Sequence, residues 1–129
     1  MKKTFFLLVF SIFVFTTAAH AQIARMTATD FLLDVIPKIN DDDAKCVFLM
    51  YSNDCQYSLR VYHSLNELSY EFPNIPFYAI CVDEEMWVFD RFDMKGVPTY
   101  GFVNFSDSQM YSGVYTKSEL RRKLQQIFH

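Results

Sequence analysis

The chain has 129 residues, enough for one small domain. Acids outnumber bases 15 to 12, for a formal charge of −3; this gives no support to nucleic-acid binding, which needs a basic face. Aromatics make up 18% of the residues and there are only three glycines, a composition that fits a dense globular core rather than disorder.

Residues 1–21 read as a secretory signal peptide. Lys2 and Lys3 form a basic start, Phe5 to Phe15 is almost entirely apolar, and Ala19-His20-Ala21 is a small-x-small cleavage pattern. The predicted division is therefore a cleaved signal over 1–21 and a single domain over 22–129. The apolar stretch is too short to span a bilayer comfortably, which argues against a stable membrane anchor, and no cysteine follows the cleavage point to make a lipoprotein. The signal is bacterial in style, so the expected compartment is the periplasm, or otherwise the secretory lumen or the extracellular space. Cleavage removes two lysines and no acid, so the domain is more acidic than the whole chain.

Ile23 to Met26 is a short first strand. From Thr27 onward, Phe31, Leu32, Val35, Ile36 and Ile39 follow helical spacing, with Pro37 leaving the helix end open. Asp41-Asp42-Asp43 is a solvated run without the patterned loop that calcium needs. Cys46 to Tyr51 is continuously apolar and must be covered on both faces, which predicts a central strand. After Cys55 an amphipathic helix carries Leu59, Tyr62, Leu65, Leu68 and Phe72, and Pro73 helps to stop it. Ile75 to Val82 is a second buried strand. Asp83-Glu84-Glu85 reads as an acidic helix start, favourable at the positive end of the dipole, with Trp87 and Phe89 in that helix as core. "KGVPTYGFVNF" is a turn and a strand, "SDS" turns the chain, and "QMYSGVY" returns as a hairpin. Thr116 and Glu119 fit a capping box ahead of a last helix with Leu120, Leu124, Ile127 and Phe128 on one face.

The order is β-α-β-α-β-α-β-β-α. Strands alternating with helices imply an α/β architecture with a parallel pair joined by a crossover, and the closing hairpin makes the sheet mixed. Three cysteines, Cys46, Cys55 and Cys81, cannot all pair within one chain. On neighbouring parallel strands Cys46 and Cys81 fall at opposite ends. At roughly 3.3 Å per residue they lie beyond the roughly 7 Å Cα limit for a bridge, and both are expected unpaired and buried.

A cysteine at the junction of a central strand and the next helix, in this element order, resembles the thioredoxin family over essentially the whole of residues 22–129. "FLMYSNDCQYS" looks like the strand that leads into the family's Cys-x-x-Cys corner. "GVPTYGFV" is similar to its cis-proline segment, which implies a cis Val97–Pro98 bond facing Cys55. "YSGVYTKSELRRKL" resembles the last strand, its glycine and the closing helix. The resemblance implies a thioredoxin fold, a central mixed sheet flanked by helices. The departures lie at the chemistry. Asp54 stands where the family has Trp, Gln56-Tyr57 replace Gly-Pro, and Ser58 replaces the second cysteine. Leu49 takes the place of a buried acid, Ala79 that of a lysine facing it, and His63 that of a helix-kinking proline.

A cysteine at a helix N-terminus meets unpaired N–H groups and a partial positive charge, both of which favour thiolate. Ser58 can add a hydrogen bond, while the adjacent Asp54 opposes a second negative charge; a modest net depression is expected. A Cys55 thiolate can attack a disulfide, but Ser58 cannot resolve the product. His63, about 80° off the Cys55 face at about 100° per residue, is a poor base. Two readings follow. In one, the chain performs monothiol thiol–disulfide exchange on cysteine-containing or extended protein substrates. Cys55 is then the catalytic nucleophile, Ser58 its supporting donor, and Gln56, Tyr57, Val97, Pro98 and Thr99 the docking residues. In the other it is a redox-inactive binding or folding-assistance module. A disulfide linking two copies through Cys55 stays open. Neither reading calls for a metal or cofactor.

Overall fold

The computed structural model describes residues 22–40, 44–105 and 107–128; the signal-like segment and the Asp41–Asp43 run lie outside them. Strand β1 (Ala24–Thr27) leads into the helical segment α1, built from Ala28–Asp30, Phe31–Val35 and Ile36–Ile39. β2 (Lys45–Tyr51), α2 (Gln56–Ser69), β3 (Phe77–Cys81), α3 (Trp87–Arg91), β4 (Thr99–Asn104), β5 (Asp107–Ser112) and α4 (Lys117–Ile127) follow. The sheet order is β1-β3-β2-β4-β5. β3 is parallel to both β1 and β2, β4 is antiparallel to β2, and β5 is antiparallel to β4. This is the predicted α/β arrangement.

Alternation along β2 explains why six consecutive residues are buried. Val47, Leu49 and Tyr51 point to one face, with Val61, Leu65 and Leu68 of α2 and Leu120 and Leu124 of α4. Cys46, Phe48 and Met50 point to the other, with Ala28, Phe31 and Val35 of α1. A strand covered on both faces has no polar side to show. α4 begins at Thr116, whose hydroxyl accepts the Glu119 N–H while the Glu119 carboxylate accepts the Thr116 N–H, both at 3.1 Å, completing the predicted capping box. α1 runs on through Pro37. A wide turn precedes the proline, with the Ile36 N–H donating to the Phe31 carbonyl five residues back, so the ladder opens where a proline supplies no donor.

The acidic trio corrects the sequence reading. α3 starts only at Trp87, and its N-cap, Met86, makes no side-chain cap bond. Glu85 reaches across to cap α1, accepting the N–H groups of Ala28 (2.8 Å) and Thr29 (3.2 Å) and the Thr29 hydroxyl. The dipole argument was sound, but the helix it serves is another one. Trp87 is 37% exposed rather than core, because α3 has a single turn and buries Val88 instead. β3 and β5 also differ at their ends. β3 covers Phe77–Cys81, and β5 begins at Asp107 and stops before Gly113, whose φ of +87° suits glycine.

Candidate functional site

Cys55 ends the loop after β2 and is the N-cap of α2, in an extended conformation (φ −112°, ψ 112°). That geometry turns its sulfur back over the first helical turn. There the Ser58 N–H donates to Sγ at 3.4 Å, one of the N–H groups a helix start leaves unpaired. On its other side the thiol points to the Val97 carbonyl, 3.9 Å away. The Val97–Pro98 peptide is cis, and the contact to Val97 sets the cysteine and the proline segment face to face, as the resemblance implies.

The Cys55 thiol is drawn below its ordinary value, first by the Ser58 side chain, next by the Ser58 N–H and less by the Tyr57 N–H, with burial opposing. The Ser58 hydroxyl is fully buried, yet Oγ makes no hydrogen bond of its own. The backbone N–H is therefore the firmer contact to the neutral thiol. The hydroxyl is a donor in reserve, placed to pair when the sulfur becomes an anion. Asp54 is exposed to solvent, and a charge bathed in water is strongly screened.

The other predicted site residues fall around this pair. Gln56 and Tyr57 are exposed on the first turn of α2, with the Arg60 guanidinium over the Tyr57 ring. Val97 is half-buried and Pro98 buried. Thr99 is drawn inward: its hydroxyl donates to the Gly96 carbonyl at 2.8 Å, and its backbone lies in register with Met50 and Ser112. The Pro98 carbonyl accepts the Gly113 N–H at 3.3 Å, tying the segment to the end of β5. His63 is exposed, edge-on to Tyr62.

Solved structures share this architecture. The chain superposes on thioredoxin O2 of Arabidopsis thaliana in its oxidized state with a TM-score of 0.73 at 18% identity, covering 84% of this chain and 96% of that one. This is the thioredoxin fold. Thioredoxin O1 of the same plant gives a TM-score of 0.72 at 17% identity, covering 84% and 99%. The thioredoxin of Trypanosoma brucei brucei gives 0.68 at 15%, covering 84% and 93%. The sequence matches no protein-family model and no curated protein.

The positions that the resemblance assigns to a buried acid and a lysine are apolar here. Leu49 and Ala79 pair directly across β2 and β3, and both are fully buried. All three cysteines are free. Cys46 and Cys81 lie at opposite ends of the β2–β3 pair, as the parallel register requires. Burial pushes the Cys46 thiol up to about 12. It is expected to resist alkylation in the native protein and to label only on unfolding; labelling at the native Cys55 rate would contradict its burial. Cys81 is half-buried, and burial first, then the Asp83 carboxylate, raise its thiol.

Sequence reasoning missed Asp83, Ser52 and Asn53. Asp83 accepts the Ser52 hydroxyl and, at 3.1 Å, the Asn53 N–H. The signal was present in the parallel register. Tyr51 pairs with Cys81, so two residues further along each chain Asn53 and Asp83 leave the sheet side by side. Among the described residues no group of three or more His, Cys, Asp or Glu could hold a metal ion, and no helix is long and apolar enough to cross a membrane.

Proposed function

We propose that this is an exported thioredoxin-fold protein that performs monothiol thiol–disulfide exchange on cysteine-containing protein substrates. The observation that carries the reading is the Cys55 sulfur at the start of α2, accepting the Ser58 N–H at 3.4 Å with its thiol held below the ordinary value. The Cys55 thiolate attacks a substrate disulfide, a Cys55–substrate disulfide forms, and the displaced sulfur leaves as thiolate. Ser58 stabilises the attacking anion but has no sulfur with which to resolve the product. A second thiolate must break the bond. If it comes from the substrate, the net result is isomerisation; if a small thiolate attacks at the Cys55 sulfur, the substrate leaves as a dithiol and the small thiol remains on Cys55 as a mixed disulfide that a second small thiolate must break. On this reading Gln56 and Tyr57, exposed on the first turn of α2, and the Val97-Pro98-Thr99 segment, whose Val97 carbonyl lies 3.9 Å from the sulfur, form the docking site for an extended chain. Export rests on the sequence pattern of residues 1–21.

The second reading, a redox-inactive binding or folding-assistance module, is favoured by one observation, the fully buried apolar Leu49–Ala79 pair where the resemblance has an acid and a lysine. Site-resolved alkylation of Cys55 as a function of pH separates the two. Because only the thiolate reacts, a depressed thiol gives a rate profile with its midpoint below that of a free cysteine. Mixed disulfides with client proteins should then be trapped at Cys55 and be absent from Cys55→Ser. A midpoint at or above the free-thiol value would rule out an activated nucleophile and leave the module.

A further inference from the structure

The turn that follows β3 is wired into the corner. The Asp83 carboxylate holds the Ser52 hydroxyl with one oxygen and the Asn53 N–H with the other. Ser52 Oγ in turn accepts the Asp54 N–H at 3.1 Å. The Ser52 carbonyl accepts the Cys55 N–H at 3.3 Å. The Asn53 amide donates to the Cys81 sulfur at 3.6 Å. Each N–H from Asn53 to Cys55 thus ends on Asp83 or on the serine that Asp83 holds. Glu85, two residues on, caps α1, so the same short turn is anchored from behind.

We infer that Asp83 is a positioning residue for Cys55: its carboxylate clamps the 52–54 turn so that Cys55 meets α2 in the extended geometry that turns its sulfur onto the Ser58 donors. The inference deepens the exchange reading by naming what controls the nucleophile, but its geometry and its test do not need a disulfide substrate. Two ionisable groups face the carboxylate, Cys81 on β3 and Tyr51 on β2, both raised chiefly by burial. Asp83 itself is held below the usual carboxylate range, first by the Ser52 hydroxyl. Across the pH range of thiol titration the clamp therefore stays charged and closed.

A carboxylate near a thiol and a carboxylate that holds a thiol in place act with opposite signs. As a bare negative charge Asp83 would disfavour thiolate, and its removal would lower the Cys55 midpoint. As a clamp it maintains the donors, and its removal raises the midpoint. The test is the pH profile of Cys55 alkylation by iodoacetamide in the folded chain, with protection of Cys46 as the folding control. Asp83→Ala is expected to shift the profile to higher pH and slow labelling at neutral pH about threefold or more, since tenfold corresponds to one pH unit. Asp83→Asn, which keeps an acceptor and loses the charge, should stay within about twofold of the parent. Ser52→Ala breaks the link while leaving the charge and should follow Asp83→Ala; it carries the test alone if Asp83→Ala fails to fold. An unchanged or lower midpoint in folded Asp83→Ala, or an unchanged one in Ser52→Ala, overturns the clamp. Failure of the exchange reading would look different, as slow Cys55 labelling in the parent chain itself.

Discussion

Replacing Ser58 by cysteine is expected to turn a persistent mixed disulfide into a transient one. Under the proposed exchange, no thiol stands in the first turn of α2 to attack a Cys55–substrate bond, so an adduct would wait for an external thiol. A cysteine at 58 places a sulfur one turn along from Cys55. Effective molarities of well-placed groups reach about 10⁵ M, and even a value on the order of 1 M would outrun an external thiol at about 10 mM by about 100-fold. The substitution should also be tolerated. Ser58 is fully buried and its hydroxyl has no partner, so replacing it with a weakly polar sulfur removes an unsatisfied group instead of breaking a bond. The measurement uses an aromatic disulfide reagent and mass spectrometry at Cys55. The parent should retain the aryl adduct after releasing one thiolate. Ser58→Cys should release a second and end with a 55–58 disulfide. An adduct equally long-lived in the folded variant would mean that the corner cannot bring residues 55 and 58 together, and the monothiol account of the parent would lose its premise.

What the sequence made legible follows from the range of the forces involved. The strand β2, the helix α2 and the capping box of α4 were readable because burial on both faces, helical periodicity and an N-cap pattern are local signals, written within a few residues. Cys55 and Pro98 were readable as a pair only through resemblance, since nothing local says that two segments so far apart in the chain face each other. Asp83 and Glu85 were misread for the same reason. An acid at the end of a strand has several N–H groups within reach, and which of them it takes depends on the packing of other elements. Glu85 found the start of α1 and Asp83 the loop before α2, and only the parallel register of β2 with β3 could have announced the second. Hydrophobicity alone places Trp87 in the core, but a single-turn α3 has too little buried face to take it in. The depression of the Cys55 thiol agrees with its place at a helix start; the exposure of Asp54 is not legible, because exposure cannot be read from adjacency.

Gly101→Ala is expected to lower stability, and the reason lies in one contact across the sheet. Gly101 of β4 sits opposite Phe48 of β2 and Met110 of β5. A Cβ at this position would lie 2.5 Å from Phe48 Cε1 and Cζ and 2.8 Å from Met110 Sδ. Met110 is half exposed and its thioether can swing away. Phe48 cannot, since it is buried against Phe31, ring centroids 5.2 Å apart, within the α1-side core. Overpacking of this kind costs about 1–3 kcal/mol, against roughly 0.5–1 kcal/mol regained from the lower chain entropy of alanine. The net loss should show as a lower denaturant midpoint at unchanged slope. A double-mutant cycle isolates the cause. In a Phe48→Ala background the added methyl has room, so Gly101→Ala should become neutral or stabilising; an equal loss in both backgrounds would locate the strain elsewhere. The contact also bears on the site. β4 begins at Thr99, directly after Pro98, and pairs with Met50 of β2, so a β4 displaced by the Phe48 clash carries the Val97 carbonyl with it, away from the Cys55 sulfur. Gly101→Ala should therefore change the Cys55 alkylation rate as well as the melting behaviour, and restoring room at Phe48 should restore both.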